Sequence, residues 1–193
     1  MTNPERTGYE MNMVELEING QRVSAEEGTT ILDAASAIGI RVPTLCHDSR
    51  LSASGVCRLC MVEVAKGGRS RLVASCVYPV EAGIVVQTDS EKVRKVRRLI
   101  LELLWPSLPD LAREYGVTSS RFRPRDTECS LCGLCVRYCA EIKKRQAIYF
   151  RGRGIDREVA IVPELAKECA MCRECFPCCT GGHIVTHSDL AFT

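Results

Sequence analysis

Of the 13 cysteines in this 193-residue chain, all but Cys178 fall into groups with regular spacing, and such spacing is the mark of metal ligation. Cys46, Cys57, Cys60 and Cys76 follow C-x10-C-x2-C-x15-C. Four thiolates are what a 2Fe-2S cluster requires, two on each iron. Ser52, Ala53, Ser54 and Gly55 precede the closest pair, and small residues there let backbone N–H groups approach the inorganic sulfides. Structural zinc also uses a C-x2-C pair, but zinc ribbons present two such pairs, whereas Cys46 and Cys76 stand singly on either side of one. His47 is read as a hydrogen-bonding residue, because four cysteines already meet the need.

Cys129, Cys132, Cys135 and Cys139 follow C-x2-C-x2-C-x3-C, and Cys169, Cys172, Cys175 and Cys179 repeat it. In that arrangement the first three cysteines of a run bind one 4Fe-4S cluster and the fourth crosses to the other. The expected sets are Cys129, Cys132, Cys135 and Cys179 for the first cluster, and Cys139, Cys169, Cys172 and Cys175 for the second. Ala140 and Thr180 stand where a proline usually follows the fourth cysteine. Cys178 beside Cys179 leaves the last ligand open; the x3 spacing favours Cys179, with Cys178 as a buried free thiol.

Ordered backbone must carry these groups. Val14, Leu16 and Ile18 alternate with Glu15 and Glu17, and Asn19-Gly20 makes a two-residue hairpin turn before Gln21 to Ser24. Thr29 and Thr30 can cap a helix with Ile31, Ala34, Ala35 and Ile38 on one face, ending at Gly39. Met61 to Ala65 and Leu72 to Cys76 flank a Lys66-Gly67-Gly68-Arg69 turn, and Ile84 to Thr88 is a last β-rich run. A small mixed sheet on one helix follows. Thr88-x-x-Glu91 reads as a capping box for a helix with Val93, Val96, Ile100 and Leu103 at helical spacing. Its basic face, Lys92, Arg94, Lys95, Arg97 and Arg98, reads as solvated.

Trp105-Pro106-Ser107-Leu108-Pro109 cannot continue that helix, and a short one over Asp110 to Tyr115 is expected next. Ala147 to Phe150 and Val159 to Val162 read as strands joined by Arg151-Gly152-Arg153-Gly154. No G-x-G-x-x-G frame surrounds those glycines, so they are not read as a phosphate loop. The expected organisation is an α+β chain: a tail over 1–12, a 2Fe-2S ferredoxin-type domain over 13–104, a linker over 105–126, and a two-4Fe-4S ferredoxin-type domain over 127–193.

Composition is 46% hydrophobic but only 5% aromatic, so the cores are modest and the clusters serve as part of them. A net charge of +2 provides no electrostatic footprint for nucleic acid or a membrane surface. No run of 18 apolar residues occurs and no basic segment leads into an apolar one near the start, so a cytoplasmic protein without membrane insertion is expected, its thiols reduced and metal-bound. Nothing supplies a nucleotide fingerprint, a flavin site or a substrate pocket. A non-catalytic electron-relay subunit is expected; a free-standing polyferredoxin or a zinc-stabilised interaction module are the alternatives.

Val42-Pro43-Thr44-Leu45-Cys46-His47, Cys57-Arg58-Leu59-Cys60-Met61-Val62-Glu63-Val64 and Cys132-Gly133-Leu134-Cys135-Val136-Arg137-Tyr138-Cys139-Ala140-Glu141 resemble the iron-sulfur (diaphorase small) subunit of NAD(P)-linked hydrogenases. They are similar also to the N-terminal iron-sulfur region of the large peripheral subunit of respiratory complex I. The resemblance runs from about Met13 to His183. It implies a β-grasp 2Fe-2S domain followed by a two-cluster domain. It also implies partners: a flavin- and NAD(P)-binding diaphorase subunit and a second catalytic subunit, a hydrogenase or, as the alternative, a formate dehydrogenase or other bifurcating reductase. Relatives carry a further 4Fe-4S site with one histidine and three cysteines. Here Leu101-Glu102-Leu103-Leu104 runs almost directly into Leu108 to Gly116 with neither His nor Cys between. Either the domains lie closer together, a partner's cluster fills the gap, or the 2Fe-2S site serves another branch.

Overall fold

The structure, a computed structural model, describes residues 12–123 and 129–179. The expected tail up to residue 11, the stretch 124–128 with the end of the expected linker, and everything from Thr180 onward lie outside the described residues. The chain divides into two compact units, one made of Met1–Val42 and Cys60–Val93, the other of Pro43–Leu59 and Arg94–Thr193.

In the first unit, alternating side chains make β1 (Met13–Ile18) and β2 (Gln21–Glu26) a hairpin whose register pairs Ile18 with Gln21. Asn19 and Gly20 take φ of 50° and 83° in its turn, the positive values a two-residue turn between twisted strands requires. The helix α1 (Ile31–Ala37) starts at Thr30, whose side chain accepts from the Asp33 N–H. A second hairpin, β3 (Met61–Lys66) with β4 (Arg69–Ala74), takes Lys66 and Arg69 into its strands, so β4 begins three residues before the expected Leu72 and ends two before Cys76. The three-residue β5 (Val85–Gln87) runs parallel to β1 and antiparallel to β3. The sheet order is β2-β1-β5-β3-β4.

The core of this unit lies between that sheet and α1: Leu16, Ile18, Ile31, Ala35, Val62, Val64 and Val86 pack together, and Cys60 and Cys76 belong to the same cluster. At about 25 cal/mol per Å² of apolar surface buried, this packing rather than strand propensity holds the short β5 in place. Thr88 is not a helix cap. Its N–H donates to Asn19 Oδ1 at 2.9 Å and its hydroxyl accepts from Asn19 Nδ2 at 2.7 Å. The cap of α2 (Glu91–Leu103) is Ser90, whose Oγ accepts from the Val93 N–H at 3.4 Å.

The second unit holds Pro43–Leu59 and the rest of α2, then α3 (Pro109–Glu114), with proline at its first turn where no donor is lost. Leu45, Leu59, Leu101, Ala112, Tyr115 and Val117 form one small core. Arg97, expected on a solvated face, is 2% exposed there. Its Nε donates to the Leu59 carbonyl at 3.0 Å and its guanidinium to the Tyr115 hydroxyl at 2.9 Å, and such bonds are what make a buried guanidinium tolerable. A second core gathers around α4 (Leu134–Arg137), the π-helical turn Tyr138–Ile142, the hairpin of β6 (Ile148–Arg151) and β7 (Glu158–Ile161), and α5 (Ala166–Cys172). Among the described residues, no helix is long and apolar enough to cross a membrane.

Candidate metal centres

In the first unit the β3–β4 register brings Cys60, just before β3, level with the residues just after β4. The carbonyl of Cys60 accepts from both the N–H (3.1 Å) and the hydroxyl (2.8 Å) of the fully buried Ser75. Cys76 follows, and its sulfur lies 3.3 Å from that of Cys60. Both cysteines are buried. Two thiolates on one tetrahedral metal with bonds of about 2.3 Å stand about 3.8 Å apart, so this pair is spaced for a shared metal with a small adjustment.

Cys46 and Cys57, in the second unit, also meet. The Cys46 thiol is held well below its ordinary value, chiefly by a hydrogen bond from the Cys57 side chain and further by the Ser54 hydroxyl and the N–H groups of Cys57 and Val56. Ser54 Oγ stands 3.6 Å from the sulfur. Donors aimed at one sulfur favour its anionic form, the form that ligates. The small-residue loop thus supplies those donors from Ser54 and from the main chain at Val56.

The second core of this unit is built largely around sulfur. Burial pushes the Cys135 thiol up, and the neighbouring charges of Cys175, Cys132, Cys179 and Cys129 add to it. Cys175 is pushed up to about 12 by burial and then by Cys169 and Cys139. Cys169 is raised by burial and by Cys139 and Cys172. Like charges about 4 Å apart repel by roughly 4 kcal/mol at an effective dielectric of 20. Such a crowd therefore ionises together only against cations, and metal loading must release protons.

Cys139, Cys169, Cys172 and Cys175 line one cavity of about 100 Å³, closed by Ala147, Ile148 and Leu165. The Ala147 N–H donates to Cys139 Sγ at 3.2 Å. Among the described residues no three His, Cys, Asp or Glu side chains converge as ligands of a single ion would; these cysteines surround a space instead. Cys178 is turned elsewhere, with its sulfur 3.4 Å from Arg50 Nη2 and 3.9 Å from Asp48 Oδ2.

Local backbone explains the placement. Gly133, at φ 74°, opens α4, and a Cβ there would come within 3.2 Å of the Phe150 ring. The turn after α4 widens to i→i+5 bonding, with the Lys143 N–H on the Tyr138 carbonyl at 3.2 Å. Cys139 lies inside that wide turn, a feature common at functional sites. Sequence reading missed three contributors: Arg97, the pair Arg137 and Glu141, and the Arg50–Asp48 pair (2.7 Å) beside Cys178. For Arg137 and Glu141 a signal existed, since four residues apart they share one helical face.

Residues 11–91 match the model of the 2Fe-2S iron-sulfur cluster binding domain. Over 90% of its length the chain is 32% identical to the NADPH-Fe(3+) oxidoreductase subunit alpha of Geobacter sulfurreducens, and over 76% it is 28% identical to the mitochondrial NADH-ubiquinone oxidoreductase 78 kDa subunit of Candida albicans. It spans about a quarter of the length of these curated relatives. A crystal structure of an NAD+-reducing NiFe hydrogenase in the H2-reduced state contains a chain that matches with TM-score 0.68 and 30% identity, covering 77% of this chain and 75% of that one. Sequence motifs, sheet and relatives agree: the chain belongs to the family of iron-sulfur subunits shared by the diaphorase part of NAD(P)-linked hydrogenases and the N-terminal region of the large peripheral subunit of respiratory complex I.

Proposed function

We infer that this chain is a non-catalytic electron relay with three centres, one 2Fe-2S in a β-grasp domain and two 4Fe-4S in a two-cluster ferredoxin-type region over 127–193. The 2Fe-2S cluster would be held by Cys46, Cys57, Cys60 and Cys76. One cubane takes Cys129, Cys132, Cys135 and Cys179; the other takes Cys139, Cys169, Cys172 and Cys175. The supporting observation is the crossing of the fourth cysteines. Cys139, from the first run, lines the cavity of the second run, and Cys179, from the second, is a charge neighbour of Cys135. When bound, such centres supply one-electron chemistry, one being reduced as its neighbour is oxidised. The protein's own task is to set distances, exclude water and aim donors at sulfur.

The partners of this reading are a flavin- and NAD(P)-binding subunit and a hydrogenase catalytic subunit, in the cytoplasm. The likeness to a chain of an NAD+-reducing hydrogenase favours that partner over a formate dehydrogenase. Cys57 and Cys132 open on one cleft of about 430 Å³ walled by Val56, Leu103, Leu104 and Phe150, which favours a short path between the 2Fe-2S centre and the first cubane without the histidine-ligated cluster. Anaerobic purification from the native source should yield brown protein with about ten iron atoms per chain, together with a flavoprotein and a second catalytic subunit. Colourless protein holding stoichiometric zinc would refute the reading.

A further inference from the structure

Although Pro43–Leu59 carries two cysteines of the first constellation, it belongs by its contacts to the second unit. Two side chains on successive helical turns hold it there. Arg137 donates through Nη1 to the Ser52 carbonyl at 2.5 Å and through Nη2 to the carbonyl of Cys46 itself. Glu141, one turn on, accepts from the Ser52 N–H at 2.7 Å, and that bond holds its carboxyl below the usual range. Leu51 sits between these anchors, 7% exposed, in the same core as Cys135 and Cys139. The guanidinium of Arg50 lies 5.2 Å from the Tyr138 ring centre.

We propose that Arg137 and Glu141 are positioning residues that clamp the Cys46 loop and thereby set the electron-transfer gap between the 2Fe-2S centre and the cubanes. This rests on the cluster assignment above. Arg137 lies between Cys135, a ligand of the first cubane, and Cys139, a ligand of the second, so α4 and the π-helical turn after it carry ligands of both cubanes and the clamp. One hydrogen bond and one side chain separate the main chain of Cys46 from α4. A planar guanidinium bridging two carbonyls fixes orientation as well as distance, which an ammonium cannot do. With the centres bound, a single electron would cross this gap, oxidising one centre and reducing the other, with no bond broken and no proton transferred.

The test uses the full chain with its clusters loaded anaerobically, comparing wild type with Arg137→Ala, Arg137→Lys and Glu141→Ala. Iron content is measured beside the low-temperature EPR spectrum of the fully reduced protein. Magnetic coupling between reduced centres falls with the inverse cube of their separation. The wild type should show a 2Fe-2S signal split by a neighbouring cubane. Arg137→Ala should narrow that splitting at unchanged iron content, while Arg137→Lys and Glu141→Ala should narrow it less. Splitting that is unchanged in all variants, is missing from a fully loaded wild type, or falls only in proportion to lost iron overturns the proposal. A wild type short of iron, near six atoms per chain, would instead remove a cubane and so strike the assignment beneath it.

Discussion

Arg97 illustrates how one side chain can be misjudged by pattern. It stands in a run of basic residues that reads as a solvated face, yet its guanidinium joins the Leu59 carbonyl to the Tyr115 hydroxyl inside a small core. Arg97→Ala should lower stability by about 3 kcal/mol, from a cavity plus two stranded polar groups. The exposed neighbour Arg98 serves as control, because Arg98→Ala should stay within about 0.5 kcal/mol. Thermal unfolding of the loaded protein distinguishes them, and equal midpoints would contradict the buried role. Cysteines 178 and 179 offer a sharper contrast. The Cys178 sulfur faces Arg50 and Asp48, while Cys179 is a charge neighbour of Cys135. Cys179→Ser is expected to lose about four iron atoms per chain, one cubane, and Cys178→Ser none; the opposite result would exchange their roles.

Among the elements, the β1–β2 hairpin and α1 were legible because their signals are local: alternation, an Asn-Gly turn and a capping threonine all act within a few residues. Thr88 was misread for the complementary reason. Its T-x-x-E spacing is genuine, but its polar groups are claimed by Asn19, 69 residues away, and Ser90 then becomes the cap. In the β6–β7 hairpin, Gly152 has φ 72° and a Cβ there would stand 2.2 Å from the Asp156 carbonyl oxygen, a backbone atom that cannot step aside cheaply. Gly152→Ala should therefore cost about 2 kcal/mol or more from strain and overlap. Hydrogen exchange should show β6 and β7 losing protection while the first unit's sheet keeps it; uniform protection would argue against the strain. Ala147 and Ile148 line the second run's cavity, so the same variant should also load less iron.

At the scale of the whole molecule, the two units differ in what holds them. The first has an aliphatic core of Leu, Ile, Val and Ala between sheet and helix. Around α4 the second instead buries Cys135, Cys139, Cys169 and Cys175 beside a few apolar residues, and thiols that repel when ionised contribute little cohesion of their own. Removing iron with a chelator under anaerobic reducing conditions should therefore unfold the cysteine-rich part of the second unit and leave the first unit's sheet protected. Amide exchange before and after chelation checks this, and equal protection of both would mean that the cores do not depend on metal.

Amino-acid order alone showed the regular cysteine spacing on which the proposed ligand groups rest, because spacing within a run is a matter of a few residues of backbone, and it determined the hairpins and α1 on the same local ground. Only the tertiary structure decided that Arg97 is buried, that Thr88 serves Asn19, that Cys178 turns to Arg50 and Asp48, and that the Cys46 loop is held by Arg137 and Glu141. Those outcomes depend on groups tens of residues apart competing for the same hydrogen-bond partners and the same apolar space, and chain connectivity does not rank such competitors.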